Sequence, residues 1–162
     1  MKIGIFYATK YGTTKKCAEI IKEHFLDADL FEIDDKEIFL DNYDFIIVGS
    51  PVIAGRLHKN VRKFLRLNKE NIKGKVSYFL CHGFNIDPYE ILKANVDREL
   101  AKDIQLISGF GGELEIDKLK GIDKFVFKII KKMKSFVEPK LDYDAINVFI
   151  ESLDLIIKQK KV

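Results

Sequence analysis

Three threonines and a glycine, set out as Thr9-Lys10-Tyr11-Gly12-Thr13-Thr14, form the stretch of this chain best suited to hold an anion. Gly12 lets the backbone approach a ligand closely. The hydroxyls of Thr9, Thr13 and Thr14 are donors. Before the stretch, Lys2 to Ala8 is a short apolar run of the kind a buried parallel strand shows. After it, Cys17, Ala18, Ile21 and Phe25 recur at helical spacing. A strand that passes through a hydroxyl-rich turn into a helix gathers free amides and the positive end of the helix dipole at one point. Such a point binds a phosphate. The competing reading is that Thr13 or Thr14 only caps the helix. Neither the Walker spacing nor the three-glycine dinucleotide fingerprint is present.

The elements that must position this turn alternate along the chain. Further strands are predicted at 29–33, 43–50, 75–81 and 103–110. Helices are predicted at 13–26, 59–67, 88–101 and about 143–158, the last with Ile146, Phe149, Ile150, Leu153 and Ile157 on one face. This alternation argues for one α/β domain spanning 1–162, built on a parallel sheet. In an open parallel sheet, ligands bind beyond the carboxyl ends of the strands, where the strand order reverses. The loops after the first, third and fourth strands are therefore the candidates.

Composition narrows the function class. No apolar run approaches the ~20 residues that span a bilayer, and the chain opens on a strand rather than a leader-like segment, so a cytoplasmic protein is expected. Cys17 and Cys81 make no disulfide framework, and Cys17 falls on the buried side of the first helix. His24, His58 and His82 are scattered, so no metal site is expected. The net charge of +3 conceals an asymmetry. Residues 118–134 hold seven lysines and one aspartate, a net of +6, which leaves the rest of the chain at −3.

From Ile5 to Ile20 the chain resembles the signature of the flavodoxins. Ile5, Phe6 and Tyr7 leave the first strand, and Thr9, Gly12, Thr14, Ala18 and Ile20 follow at that family's spacing. The resemblance implies a doubly wound five-stranded parallel sheet of order 2-1-3-4-5. It also implies a non-covalent FMN whose phosphate is wrapped by Thr9, Lys10, Tyr11, Gly12, Thr13 and Thr14. By the same likeness, Ser50, Pro51, Val52, Ile53 and Gly55 lie along the inner face of the flavin ring. Gly55 can take a positive φ, and a peptide flipping there would meet the flavin N5. Flavodoxins commonly carry a tryptophan on this loop, and this chain has none. Arg56 or His58 is then a candidate to meet charge on the reduced ring, the alternative being a solvated loop tip. His82, Gly83, Phe84, Asn85 and Tyr89 match the third flavin-contacting loop by position, with Phe84 and Tyr89 as candidates for the outer face. Asp87-Pro88 reads as an ordinary helix start. Gly109 to Gly112 reads as the end of the fifth strand, since no helix opens behind it.

A second likeness lies at Gly111–Leu114 and Ile122–Met133, which is similar to a segment of the flavodoxin-domain branch that includes menaquinone-dependent protoporphyrinogen IX dehydrogenases. Physically, 118–134 predicts an extra basic amphipathic helix before the C-terminal one. Leu119, Ile122, Val126, Ile129, Ile130 and Met133 make a stripe to dock on the domain. Lys120, Lys124, Lys128 and Lys131 face away, with Phe127 among them. That outward face is either solvated surface or a contact for an acidic partner or a membrane. With no acid–base or nucleophile constellation, the expected function is electron transfer through FMN to a redox partner protein or a quinone. A protoporphyrinogen dehydrogenase-type enzyme and an FMN-free interaction module are the alternatives. No nucleic-acid recognition motif is present.

Overall fold

The computed structural model describes residues 1–34, 38–113, 118–134 and 136–160. Its elements run β1 (Ile3–Tyr7), α1 (Thr13–His24), β2 (Asp29–Glu32), β3 (Phe45–Ile53), β4 (Arg56–Leu57), α2 (Lys59–Leu67), α3 (Lys69–Ile72), β5 (Val76–Cys81), α4 (Pro88–Asn95), α5 (Arg98–Lys102), β6 (Ile104–Gly109), α6 (Gly121–Ile130) and α7 (Tyr143–Lys160). The main sheet has the order β2-β1-β3-β5-β6, all parallel, with the two-residue β4 paired antiparallel to β3. That is the predicted order with one short hairpin strand added. The order reverses between β1 and β3, which puts the β1–α1 turn at the switch point.

Alternation along the buried strands feeds two cores. Ile3, Ile5, Tyr7, Phe45, Ile47, Phe79 and Cys81 point to a layer closed by α1 and α7. Phe6, Ala8, Ile46, Val48, Tyr78 and Leu80 point to the opposite layer, closed by α2, α3, α4 and α5. Period-two side chains of a strand covered on both faces must do this. The predicted face of the last helix is buried in full: Ile146, Phe149, Ile150, Leu153 and Ile157. Phe110 stacks on Phe79 at 5.2 Å between centroids and meets Phe149 edge-on at 5.3 Å, locking α7 over the sheet.

Three expectations change. The predicted helix over 88–101 breaks at Val96, because Asp97 turns its carboxylate onto the Glu99 N–H at 3.0 Å and caps a new helix. The third strand runs past Ser50 to Ile53, so what reads as a loop is a β-hairpin. Its two turn residues, Ala54 and Gly55, have φ of 50° and 73°. Two positive φ values in a two-residue turn match the twist of the flanking strands. The basic helix shortens to Gly121–Ile130, since 131–134 form turns. Among the described residues, no helix is long and apolar enough to cross a membrane.

Gly49 lies where β3 passes over the Phe79 ring, and a methyl there would stand 2.1 Å from the ring. Gly49→Ala is therefore expected to cost about 1–3 kcal/mol. In urea unfolding this appears as a lower midpoint at unchanged slope. Adding Phe79→Leu restores part of the loss. An unchanged midpoint in Gly49→Ala alone would show that the ring is free to move.

Candidate functional site

The β1–α1 turn leaves donors free in a way the residue types alone do not reveal. Gly12 is the N-cap residue of α1 at φ 95°, and no side chain caps the helix. The capping alternative for Thr13 and Thr14 is thereby removed. No acidic residue stands in the first turn either. The first N–H groups of α1 have no intrahelical acceptors, and the space beside Gly12 is open, since a Cβ there would meet nothing within 4 Å. Thr9 closes the turn from below, its Oγ1 accepting the Gly12 N–H at 3.0 Å. The Thr9 hydroxyl proton is then left to donate.

The other two hydroxyls are placed differently from the expectation of three equivalent donors. Thr13 Oγ1 donates to the Glu113 carbonyl at 3.0 Å. Thr14 is buried, and its hydroxyl has no hydrogen-bond partner of good geometry. It lies beside the thiol of Cys81, which itself stands 3.6 Å from the Cys17 sulfur beneath the turn. The bond to Cys17, then burial, push the Cys81 thiol well above its ordinary range. The two buried thiols thus pack against each other under the loop.

Two acids that sequence reasoning passed over complete the turn. Asp123 of α6 takes both the Lys10 ammonium and the Tyr11 hydroxyl on one carboxylate oxygen. Those two bonds, Lys10 foremost, hold the Asp123 carboxyl below its usual range. Lys10 is raised, chiefly by the same bond. Glu113 binds Lys16 Nζ at 3.1 Å, and Lys16 is raised by Tyr143 and then Glu113. Lys10 and Lys16 are therefore already paired with acids, and the donors that the turn leaves free are its amides and the Thr9 hydroxyl. Asp123 was visible as the single acid in the lysine-rich segment, but only its contact across 113 residues reveals its role.

The β3–β4 hairpin supplies the second edge. Ser50 is buried, its Oγ bonded to the Pro51 carbonyl and accepting the His58 N–H, each at 2.9 Å. It fixes the hairpin base. Pro51 and Val52 are half-buried, Ile53 and Gly55 exposed at the outer end. His58 caps α2, accepting the Asn60 N–H on Nδ1 at 3.3 Å. Burial, then Lys59, lower its pKa. A neutral cap does not serve as a counter-charge, so of the two candidates Arg56, exposed on β4, is the cation left.

The third loop leaves β5 beside the hairpin. The His82 N–H donates to the Gly111 carbonyl at 2.7 Å, tying the loop to the end of β6. Its Nδ1 meets the Phe84 carbonyl at 2.6 Å. Burial lowers the His82 pKa, partly opposed by that carbonyl. His82 thus shapes the loop. Phe84 and Tyr89 are 61% and 41% exposed, leaving two aromatic faces open beside Gly83 and Asn85. Asp87 caps α4, accepting the N–H groups of Tyr89 and Glu90 at 2.9 and 3.3 Å, as expected of Asp-Pro.

The expectation for the basic helix is inverted. Phe127, predicted among the outward lysines, is 8% exposed and packs edge-on against Phe136 at 5.6 Å. Leu119 is buried, but Ile122, Val126, Ile129 and Met133 of the predicted docking stripe are exposed. Asp123 and Phe127, one helical turn apart, share the docked face. The ion pair and the aromatic contact orient the helix, and the wider apolar arc is turned out. Lys120, Lys124, Lys128 and Lys131 are exposed as expected.

Comparisons with known proteins agree with this architecture. An archaeal flavodoxin structure aligns with a TM-score of 0.55 at 22% identity, covering 73% of this chain and 89% of that one. A Lactobacillus acidophilus flavoprotein in complex with FMN gives a TM-score of 0.52 at 19% identity, covering 67% and 92%. A Fusobacterium nucleatum flavodoxin bound to flavin mononucleotide gives 0.51 at 22%, covering 67% and 70%. At these identities the likeness is one of fold. An uncharacterised Methanocaldococcus jannaschii protein is 32% identical over 103 residues, which span 62% of this chain and 63% of the relative's length. Residues 4–138 match the family model described as the flavodoxin domain. That match covers most of the chain, and the protein belongs to the flavodoxin domain family.

Proposed function

We propose that this protein is an electron-transfer flavoprotein that holds one FMN non-covalently at the β1–α1 turn. The observation that carries the reading is the uncapped first turn of α1, opened by Gly12 at the sheet's switch point. The donor set fits a phosphate, since the first-turn amides and the Thr9 hydroxyl converge there while Lys10 and Lys16 are engaged elsewhere. The solved FMN-bound relatives support the choice of flavin. When bound, FMN supplies the electron-transfer chemistry, and the protein supplies binding, orientation and electrostatics. The hairpin from Pro51 to Arg56 and the loop from His82 to Tyr89 flank the ring, with Phe84 and Tyr89 as its aromatic cover. Arg56 supplies the positive charge on the hairpin side. Electrons then pass to a partner protein or a quinone.

The test is a titration of purified protein with FMN, followed by quenching of flavin fluorescence. One equivalent is expected to bind. Absence of binding would leave the fold as an FMN-free interaction module. A second reading, an enzyme of the menaquinone-dependent protoporphyrinogen IX dehydrogenase type, is favoured by the 111–133 likeness and by the apolar face of α6. It requires flavin-dependent turnover of protoporphyrinogen with a menaquinone analogue. No turnover by FMN-loaded protein rejects it.

Asp123 supplies a sharper check. Its carboxylate places a negative charge beside the anion site and occupies Lys10. Asp123→Asn is expected to tighten FMN binding roughly two- to fivefold at low salt, the scale of an exposed ion pair. The gain fades as salt rises. Weaker binding would show instead that the Asp123 contact serves to position the turn.

A further inference from the structure

Helix α6 presents three sectors of different chemistry. At about 100° per residue, Asp123, Phe127 and Ile130 fall on the side that faces the protein. Ile122, Phe125, Val126 and Ile129 span an arc of about 100° and are 79%, 66%, 43% and 52% exposed. Met133, in the turn beyond, continues that ridge at 56% exposure. Lys124, Lys128 and Lys131 fill the third sector, all exposed. The helix's one acid, Asp123, is turned inward onto Lys10 and Tyr11. The outward surface is therefore apolar and positive, with no negative charge from the helix itself. A contiguous exposed apolar ridge marks an interaction site.

We propose that α6 docks onto an anionic lipid surface, its apolar ridge entering the headgroup boundary and its lysines meeting lipid phosphates. The charge pattern selects this occupant. A second copy stacked on the same ridge would add a second lysine row, with no acid on the outward face of either α6 to offset it. Lysine stems reach past neighbouring apolar residues to keep their ammonium groups at headgroup level. The Asp123 bond fixes the helix on the protein while leaving the ridge free, so docking needs no refolding. Docking does not depend on whether FMN is bound.

The experiment is co-sedimentation of the full chain with vesicles of phosphatidylcholine alone or mixed with phosphatidylglycerol. Binding is expected to the mixed vesicles, weakly to phosphatidylcholine, and to fall with salt. Lys124→Gln, Lys128→Gln and Lys131→Gln together should lower partitioning on the order of a hundredfold, each lysine near an anionic surface being worth roughly a factor of five. Phe125→Glu with Ile129→Glu should abolish it, with circular dichroism and the thermal midpoint unchanged because both side chains are exposed. No binding to the mixed vesicles at low salt overturns the proposal. Undiminished binding by the Phe125, Ile129 variant does so too. So does a dimer that this variant dissociates in a protein that ignores vesicles.

Discussion

Everything at the candidate site depends on a helix that begins without a cap. The first turn of α1 offers N–H groups that neither a side chain nor the helix itself satisfies, and Gly12 is bent to φ 95° so that they open outward. Sheet order then decides what such a turn is for. With β2 on one side of β1 and β3 on the other, the strand order reverses at the turn, and among the described residues no further strand covers the crevice in front of it. The same order brings the β3–β4 hairpin and the loop after β5 to the same edge of the sheet. Bonds that lie behind the site, from Ser50 to His58 and from His82 to Gly111, hold these two segments in place.

Charge at the turn follows an unexpected logic. Lys10 and Lys16 are close enough in sequence to seem natural anion ligands, yet Asp123 and Glu113 take them. In the proposed reading, binding strength comes from directed amide and hydroxyl donors rather than from these lysines. The same two acids tie the chain at Glu113 to the start of α1 and α6 to the β1–α1 turn. One interaction, Asp123 to Lys10 and Tyr11, therefore ties α6 to the β1–α1 turn and sets which way the helix faces.

Much of this was legible in the sequence, for identifiable reasons. Strands buried on both faces and α7 with its regular apolar face declare themselves by periodicity, so these elements and the Ile146 to Ile157 stripe were readable, while the sheet order came from the likeness of Ile5 to Ile20 to the flavodoxins. The Gly12 turn was readable because its flanks change period abruptly. Failures came where a long-range contact outweighed a local pattern. The helical wheel assigned the wide apolar arc of α6 to the core, but docking is set by Asp123 and Phe127, whose partners lie in other segments. Thr13 reads as a free donor until the Glu113 carbonyl appears beside it. Ser50 to Ile53 reads as a loop because Pro51 breaks the strand pattern, whereas β4 pairs only with Val52 and Ile53 and needs nothing from Pro51.

The central claim is that the β1–α1 turn recognises a phosphate and that the flavin hangs from it. Parallel titrations with FMN and with riboflavin, identical except for that phosphate, test it most directly. The account predicts that FMN binds at least tenfold more tightly, since several amide and hydroxyl bonds to a charged group, at roughly 1.5–3 kcal/mol each, are lost with the phosphate. Equal affinities for the two flavins would contradict it and move the recognition to the hairpin and the Phe84 loop.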